Sequence, residues 1–539
     1  DIIDPTINAH NGRIVKHTGD GFLAEFPTIQ DAVRGAIAMQ EGMKACPLDF
    51  RMGITLGDII DDGEDIHGEG VNIAARIEAL ADPGGICVSG GVYDQVRNRL
   101  EHRFEDLGDH QVKHVSAPVR VYRITFEALE ARQIETPEPA LALPDRPSIA
   151  VLPFDNMSGD PEQEYFADGI AEDIITALSK VSGLFVIARN STFTYKGQAV
   201  KVQEVSKALG VAHVLEGSVR KAGDRVRISA QLVDGRTGGH LWAERYDREL
   251  GDIFALQDEV TQQIVTALEV KLGAGESERL VQHETYDVRC YDSLLRGREL
   301  FMRFTKESNL QARQAFERAL QTIPDCAPAF ARLAQTYFLE SQFGWSVSTQ
   351  AAAKTAMAYA EKALSLDDTL PFAHGVLGAI LLWAKRHDQA ISEVKRWIAL
   401  DPNEADAYLN LALAENFSGA PEAALPLLQT SMRLNPNYGF LTLFALGQAH
   451  FMTGNTAEAI QAFERSAVHN PEFVGTAIYL VASYAEADEI EKAHEAVAKG
   501  KKSSPEFFSE SVAKMLPFKL AEDLTALVNA LSKAGIELS

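Results

Sequence analysis

Cysteine is scarce in this chain, four in 539 residues, and Cys46, Cys87, Cys290 and Cys326 never fall in Cys-x-x-Cys spacing. That excludes a disulfide scaffold and a zinc site of the usual pattern, and it fits reduced thiols filling cores in the cytoplasm. Long apolar runs are missing as well: no stretch of about eighteen apolar residues occurs, so no membrane span is expected. Positive charge is in deficit, 51 Lys and Arg against 76 Asp and Glu, for a net charge of −25. This disfavours nonspecific attachment to nucleic acid or to anionic membrane surfaces. No signal peptide is visible, and a cytoplasmic location is expected. What the chain has in plenty is length, enough for several domains that each bury a core of their own.

Residues 65–76, Asp-Ile-His-Gly-Glu-Gly-Val-Asn-Ile-Ala-Ala-Arg, read as a loop that opens a helix. Val71, Ala74, Ala75 and Leu80 form its apolar stripe, while Asn72 and Arg76, four apart, share another face and can reach one anion. Upstream, residues 13–26 are two strand-like runs around Asp20-Gly21, a hairpin signal that sets Asp20 on an exposed turn. Each feature alone has a bland reading: a turn, a solvated strand-edge lysine at Lys16, a surface pair on a helix. His17 and His67 have no metal-ligand spacing to another His or Cys and are read as incidental.

Taken together and in this order, with residues 50–58, 83–89 and 118–124, these segments resemble the catalytic domain of class III nucleotide cyclases over residues 1–126. The resemblance implies an α+β ferredoxin-like domain that converts ATP to 3′,5′-cyclic AMP and pyrophosphate with two Mg²⁺ or Mn²⁺ ions per site. It makes Asp20 one of two metal aspartates, Lys16 and Asp65 the base-reading pair, Asn72 the ribose contact, Arg76 the contact to the α-phosphate, and Lys113 the grip on the outer phosphates. An ammonium donating to adenine N1 and a carboxylate accepting from N6 select ATP, because guanine reverses that pattern. In the family, metal aspartates of one protomer face the other four groups of its partner, so a homodimer is implied. The second metal aspartate belongs to a strand upstream of the hairpin, and the chain opens at Asp1, already past it. This chain is therefore expected to be a piece of a longer product, silent by itself. The competing reading is a noncatalytic regulator or scaffold that dimerises through its head and recruits clients through its tail.

Proline crowding at 127–147 marks a linker. Residues 148–272 then read as an α/β layer: strands at 148–153, 184–188, 211–220, 226–233 and 240–246, with helices at 164–180, 202–209 and 252–271. This stretch resembles the TolB amino-terminal-like domain through Ala-Val-Leu-Pro-Phe at 150–154, Tyr-Phe-Ala-Asp-Gly at 165–169 and Leu-Trp-Ala-Glu-Arg-Tyr-Asp at 241–247. Asp168, Glu244 and Asp247 are expected at strand edges and helix caps rather than in an acid site.

Pro402, Pro436, Pro471 and Pro505 are spaced 34, 35 and 34 apart, the tetratricopeptide period. Ala390, Ala424, Ala459 and Ala493 stand at the same place in each repeat, where paired helices approach closely. Ala312, Phe316, Ala319 and Pro324 show the frame earlier, with an insertion at 342–350 in between. An all-α solenoid is expected over 288–506, with a capping segment at 507–539, offering its concave face to an unidentified protein partner or packing a dimer.

Overall fold

The computed structural model describes residues 3–18, 21–43, 50–57, 60–61, 66–67, 69–96, 103–110, 119–125, 141–198, 200–270, 272, 288–503 and 516–536. The chain divides into two units, Asp1–Pro137 and Glu138–Ser539. Most of the expected linker, 127–140, lies outside the described residues.

The first unit runs α1 (Ile3–Ala9), β1 (Arg13–Thr18), β2 (Gly21–Glu25), α2 (Ile29–Met43), β3 (Met52–Ile54), β4 (Ile60–Asp61), β5 (Ile66–His67), α3 (Glu69–Glu78), β6 (Ile86–Ser89), α4 (Gly90–Val96), β7 (Arg103–His110) and β8 (Val119–Thr125). β1 and β2 pair antiparallel, as the Asp-Gly signal predicts, with a register shift between Ile14 and Lys16. The main sheet is mixed, in the order β3-β6-β8-β7, with β3 and β6 parallel and the other pairs antiparallel. Strand β6 lies between β3 and β8, so its four residues are all buried, and it reads as a continuous rather than alternating run. Ile7, Val33, Ile37, Met52, Ile86, Val88, Val92 and Ile124 form the core between sheet and helices. Buried Gln40 ties α2 to the sheet, its Nε2 donating to the Phe50 carbonyl at 2.7 Å.

The second unit opens with β9 (Ser148–Val151), β10 (Asp155–Asn156), α5 (Glu164–Ser179), β11 (Phe185–Val186), α6 (Arg189–Thr192), α7 (Val202–Leu209), β12 (His213–Ala222), β13 (Arg225–Asp234), β14 (His240–Glu249) and α8 (Ile253–Ala267). Its sheet has the order β11-β9-β12-β13-β14, with β10 added to β12; the first strands are parallel and β12-β13-β14 is an antiparallel meander. Helices α5 and α8 cover one face over Phe166, Ile170, Ile174, Leu178, Val260 and Ile264. Three expected elements are shorter than the sequence suggests, β9 ending at Val151 rather than at residue 153. β11 stops at Val186 because the Ala188 amide leaves the sheet and donates to the Leu434 carbonyl at 2.8 Å. α8 stops at Ala267 because Glu269 takes a positive φ of 52°, where a further helical turn is impossible.

Paired helices follow: α9 (Val288–Met302) and α10 (Lys306–Thr322), α11 (Ala327–Gln342) and α12 (Thr349–Leu366), α13 (Pro371–Trp383) and α14 (His387–Leu400), α15 (Ala405–Phe417) and α16 (Pro421–Leu434), α17 (Phe440–Met452) and α18 (Thr456–His469), α19 (Val474–Glu486) and α20 (Ile490–Ser503), then α21 (Ala521–Lys533). Ala390, Ala424, Ala459 and Ala493 are each 0% exposed; a larger side chain there would push the paired helices apart. The expected insertion is the turn between α11 and α12, where Phe343 and Trp345 pack with Phe304.

The layer and the solenoid share cores. Ala150, Phe185, Ile187, Val205, Leu209 and Val214 on the second face of the sheet close over Ala405 and Leu434 of the repeats. Tyr291 and Leu295 of α9 enter the core under α5. The C-terminal segment turns back: Phe518 meets Phe417 edge-on at 5.2 Å, the Lys519 amide donates to the Phe417 carbonyl at 2.8 Å, and α21 buries Leu527, Ala530 and Leu531 in the core that holds Tyr479 of α19. Cys290 and Cys326, scattered in sequence, meet across α9 and the start of α11 with their Sγ atoms 3.4 Å apart.

Candidate active site

Helix α3 carries Asn72 and Arg76. Ile77 is fully buried on its inner face and packs with Ala81, Cys87 and Val121, with Ile73 beside them. The i, i+4 spacing then turns Asn72 and Arg76 together to the opposite, solvent-exposed side. Two close backbone approaches fix the helix. A Cβ on Gly53 of β3 would run into the Ala74 carbonyl and the Glu78 amide, and one on Gly57 would meet the Gly70 backbone. The strand end is held from the side by the Thr55 hydroxyl, 3.1 Å from Ser89 Oγ. Beneath α3, burial pushes the Cys87 thiol up, so it stays a neutral packing group.

Lys16 lies on β1, exposed and in register with Leu23 of β2. The short β4–β5 ladder pairs Ile60 with His67 directly ahead of α3. Asp20, Asp65 and Lys113 lie outside the described residues, as does Asp58. The described geometry thus brings Asn72 and Arg76 onto one face and sets Lys16 on a separate ladder.

In the second unit, Asp168, Glu244 and Asp247 stand apart. Asp168 pairs with Lys196 at 2.5 Å. Asp247 lies between Arg225 at 2.5 Å and Arg227 at 2.6 Å, which hold its carboxyl down at about 2. Glu244 is exposed opposite Ala230. An ionic cluster not foreseen from sequence joins α5 to α9. Asp173 takes Arg298 at 2.9 Å and the Tyr291 hydroxyl at 2.5 Å, and Glu172 takes Arg189 at 3.0 Å and Arg298 at 3.5 Å. Burial opposes ionisation of Glu172, yet Arg298 and Arg189 still hold its carboxyl below the usual range. No local pattern announces this cluster, because Tyr291 and Arg298 come from a segment more than a hundred residues from Glu172 and Asp173.

Among curated proteins, "Putative adenylate cyclase 3" of Rhizobium meliloti (strain 1021) is 48% identical over 400 residues, which is 72% of this chain and 68% of that relative. The chain belongs to that adenylate cyclase family. An uncharacterised protein of Mycobacterium tuberculosis (strain ATCC 25618 / H37Rv) is 30% identical over 142 residues, 26% of this chain and 36% of that protein. The crystal structure of an adenylate/guanylate cyclase/hydrolase from Silicibacter pomeroyi aligns at 41% identity over 24% of this chain and 80% of that one, with a TM-score of 0.23. The family described as HilA/YgeH-like transcriptional regulator, second domain, matches residues 145–284, where a TolB amino-terminal-like domain was expected. The tetratricopeptide repeat family matches residues 440–473, the pair α17 and α18. Among the described residues no helix is long and apolar enough to cross a membrane.

Proposed function

We propose that the family member described here makes 3′,5′-cyclic AMP and pyrophosphate from ATP through a ferredoxin-like cyclase head, and that it works as a homodimer. The observation that carries this reading is the relation to the R. meliloti protein, 48% identical over 400 residues. The exposed pairing of Asn72 and Arg76 on a helix pinned by Gly53 supports it. In this reading Arg76 meets charge that grows on the α-phosphate as the ribose 3′-oxygen attacks, and Asn72 orients the ribose. A preorganised guanidinium acts here through electrostatics, with no covalent step of its own. Lys16 and Asp65 read the adenine edge, and Lys113 holds the outer phosphates.

Mg²⁺ or Mn²⁺ enters on the resemblance alone. Asp20, its implied ligand, is outside the described residues, and among the described residues no group of three or more His, Cys, Asp and Glu side chains is set to hold a metal. When bound, the ions would offset the charge of the triphosphate. The repeats supply a protein-binding array, for which the partner is unassigned.

The test is cyclic AMP formation from ATP by the whole gene product. Arg76→Ala and Asn72→Ala should each lower turnover on the order of 100-fold or more, with the melting of Asp1–Pro137 unchanged because both side chains are exposed. Turnover within a few-fold of wild type in both variants would refute the assignment. Absence of any cyclase activity in the wild-type product would favour the noncatalytic regulator, a reading supported by the likeness of residues 145–284 to a domain of transcriptional regulators.

A further inference from the structure

A cavity of about 370 Å³ lies where α5 meets the inter-repeat turns, a volume in the usual range for small-molecule sites. Both signs of charge line it, and part of that charge is already matched. Arg298 and Arg189 are taken by Glu172 and Asp173. Arg332 is not. Its guanidinium lies 3.9 Å from the Phe372 ring centroid and donates to Gln335 Oε1 at 3.2 Å, with no carboxylate within 4.0 Å among the described residues; Glu172, Asp173 and Glu404 act on its charge only from beyond that distance.

Asp401, Glu404 and Asp406 also line the cavity, and among the described residues none has a basic side chain within 4.0 Å. Asp401 is only 3% exposed; its Oδ2 accepts from the Ser179 hydroxyl at 3.0 Å, while its Oδ1 is buried with no hydrogen-bond partner. Glu404 spends one oxygen on the Asp406 amide at 3.1 Å. Burial pushes the Asp401 carboxyl up to about 6 and that of Glu404 well above the ordinary range, as expected of buried carboxylates with no cation in direct contact; Lys180 lowers Asp401, and Arg332 faces Glu404, only across a longer gap.

Leaving charges of either sign unpaired at a buried site is costly. Here Arg332 lines one cavity with Asp401, Glu404 and the more exposed Asp406 and forms no ion pair with any of them, so their complement is a molecule that carries both charges. We propose that this cavity is a receptor site for a small zwitterion of the α-amino acid class, its carboxylate received by Arg332 and its ammonium by Asp401 with Glu404 and Asp406. The apolar faces of Phe372 and Trp397 line the remaining space. Such a ligand touches the repeats and, through the wall formed by α5, the α/β layer, so it stabilises their docking by mass action.

The experiment uses the full chain and each of the twenty L-amino acids as probes, with succinate and putrescine as controls that carry charge of one sign only. At least one amino acid should raise the melting temperature of the Glu138–Ser539 unit and bind with one-to-one stoichiometry by calorimetry. Arg332→Gln and Asp401→Asn should each weaken that binding on the order of tenfold or more. Glu404→Gln serves as a further variant if either fails to give native circular dichroism. The proposal is overturned if no amino acid binds, if binding survives in the folded variants, or if succinate or putrescine binds as tightly as the amino acid.

Discussion

Asn403 is a pin between the repeats and the α/β layer, and removing it should loosen one from the other. It follows Pro402 in the turn between α14 and α15 and is 2% exposed. Its Nδ2 donates to the Ser179 carbonyl at 2.9 Å and the Val181 carbonyl at 3.1 Å; its Oδ1 accepts from Arg146 at 3.0 Å and from the Val186 amide at 3.4 Å. Asn403→Ala deletes all of these at once and strands their partners at a buried seam. With a neutral hydrogen bond worth about 1 kcal/mol net, and the long Val186 contact worth little, the loss is about 2–4 kcal/mol. The unit is too large for a single unfolding transition to report this cleanly, so the readout is native-state hydrogen exchange. Protection at Phe185, Val186 and Ile187 should fall on the order of 30- to 700-fold, while amides in the core of α17–α19 change little. Protection at β11 within a few-fold of wild type would show that the seam is held by apolar contact alone and would refute the reasoning.

Asp401 makes the same seam pH-dependent. Burial raises its carboxyl to about 6 in the folded chain, against about 3.9 unfolded, so folding favours the protonated form. Its stabilising share is complete below about pH 4 and is lost as pH rises through about 6. Asp401→Asn should stabilise the Glu138–Ser539 unit above pH 6 by about 2 kcal/mol or less and flatten melting profiles taken from acid to neutral pH. Part of the slope remains because burial also raises Glu404 and Asp258; a profile indistinguishable from wild type would contradict the assignment. Phe518→Ala removes the ring that fixes the turned-back C-terminal segment against Phe417 and should cost about 3–5 kcal/mol locally. Faster exchange confined to α21 and the end of α19 is the expected sign, and unchanged exchange there would count against the docking.

Elements that depend on neighbours in sequence were readable from it. The β1–β2 hairpin follows from a turn pair between two strand-like runs, and the face shared by Asn72 and Arg76 follows from helical spacing. The repeats follow from prolines and buried alanines that recur in one register. What could not be read depends on distant segments meeting. Nothing near Asn403 shows that its amide will close over the end of α5, and Cys290 and Cys326 give no spacing signal although their sulfurs touch. β11 is cut short by a hydrogen bond to Leu434, a partner more than two hundred residues away. Of the proposed active-site residues, Lys16, Asn72 and Arg76 are placed by the structure, and only the last two share an element whose own periodicity aligns them.

The shared cores change how the second unit must be understood. A solenoid whose repeats contact only their neighbours can be shortened or removed without harm to the rest. Here the repeats supply Ala405 and Leu434 to one face of the sheet and Tyr291 and Leu295 to the other. The layer between residues 148 and 272 therefore lacks part of its own cover, and without the repeats it would present buried apolar surface to water. The solenoid is consequently a structural half of the α/β layer. A partner or small ligand that shifts the inter-repeat turns near Asp401 and Asn435 acts directly on β11 and α6, through Asn403 at one turn and through the Ser191 hydroxyl, 2.5 Å from Asn435 Oδ1, at the next. These two polar contacts, set one repeat apart, act beside the direct hydrogen bond from the Ala188 amide to the Leu434 carbonyl.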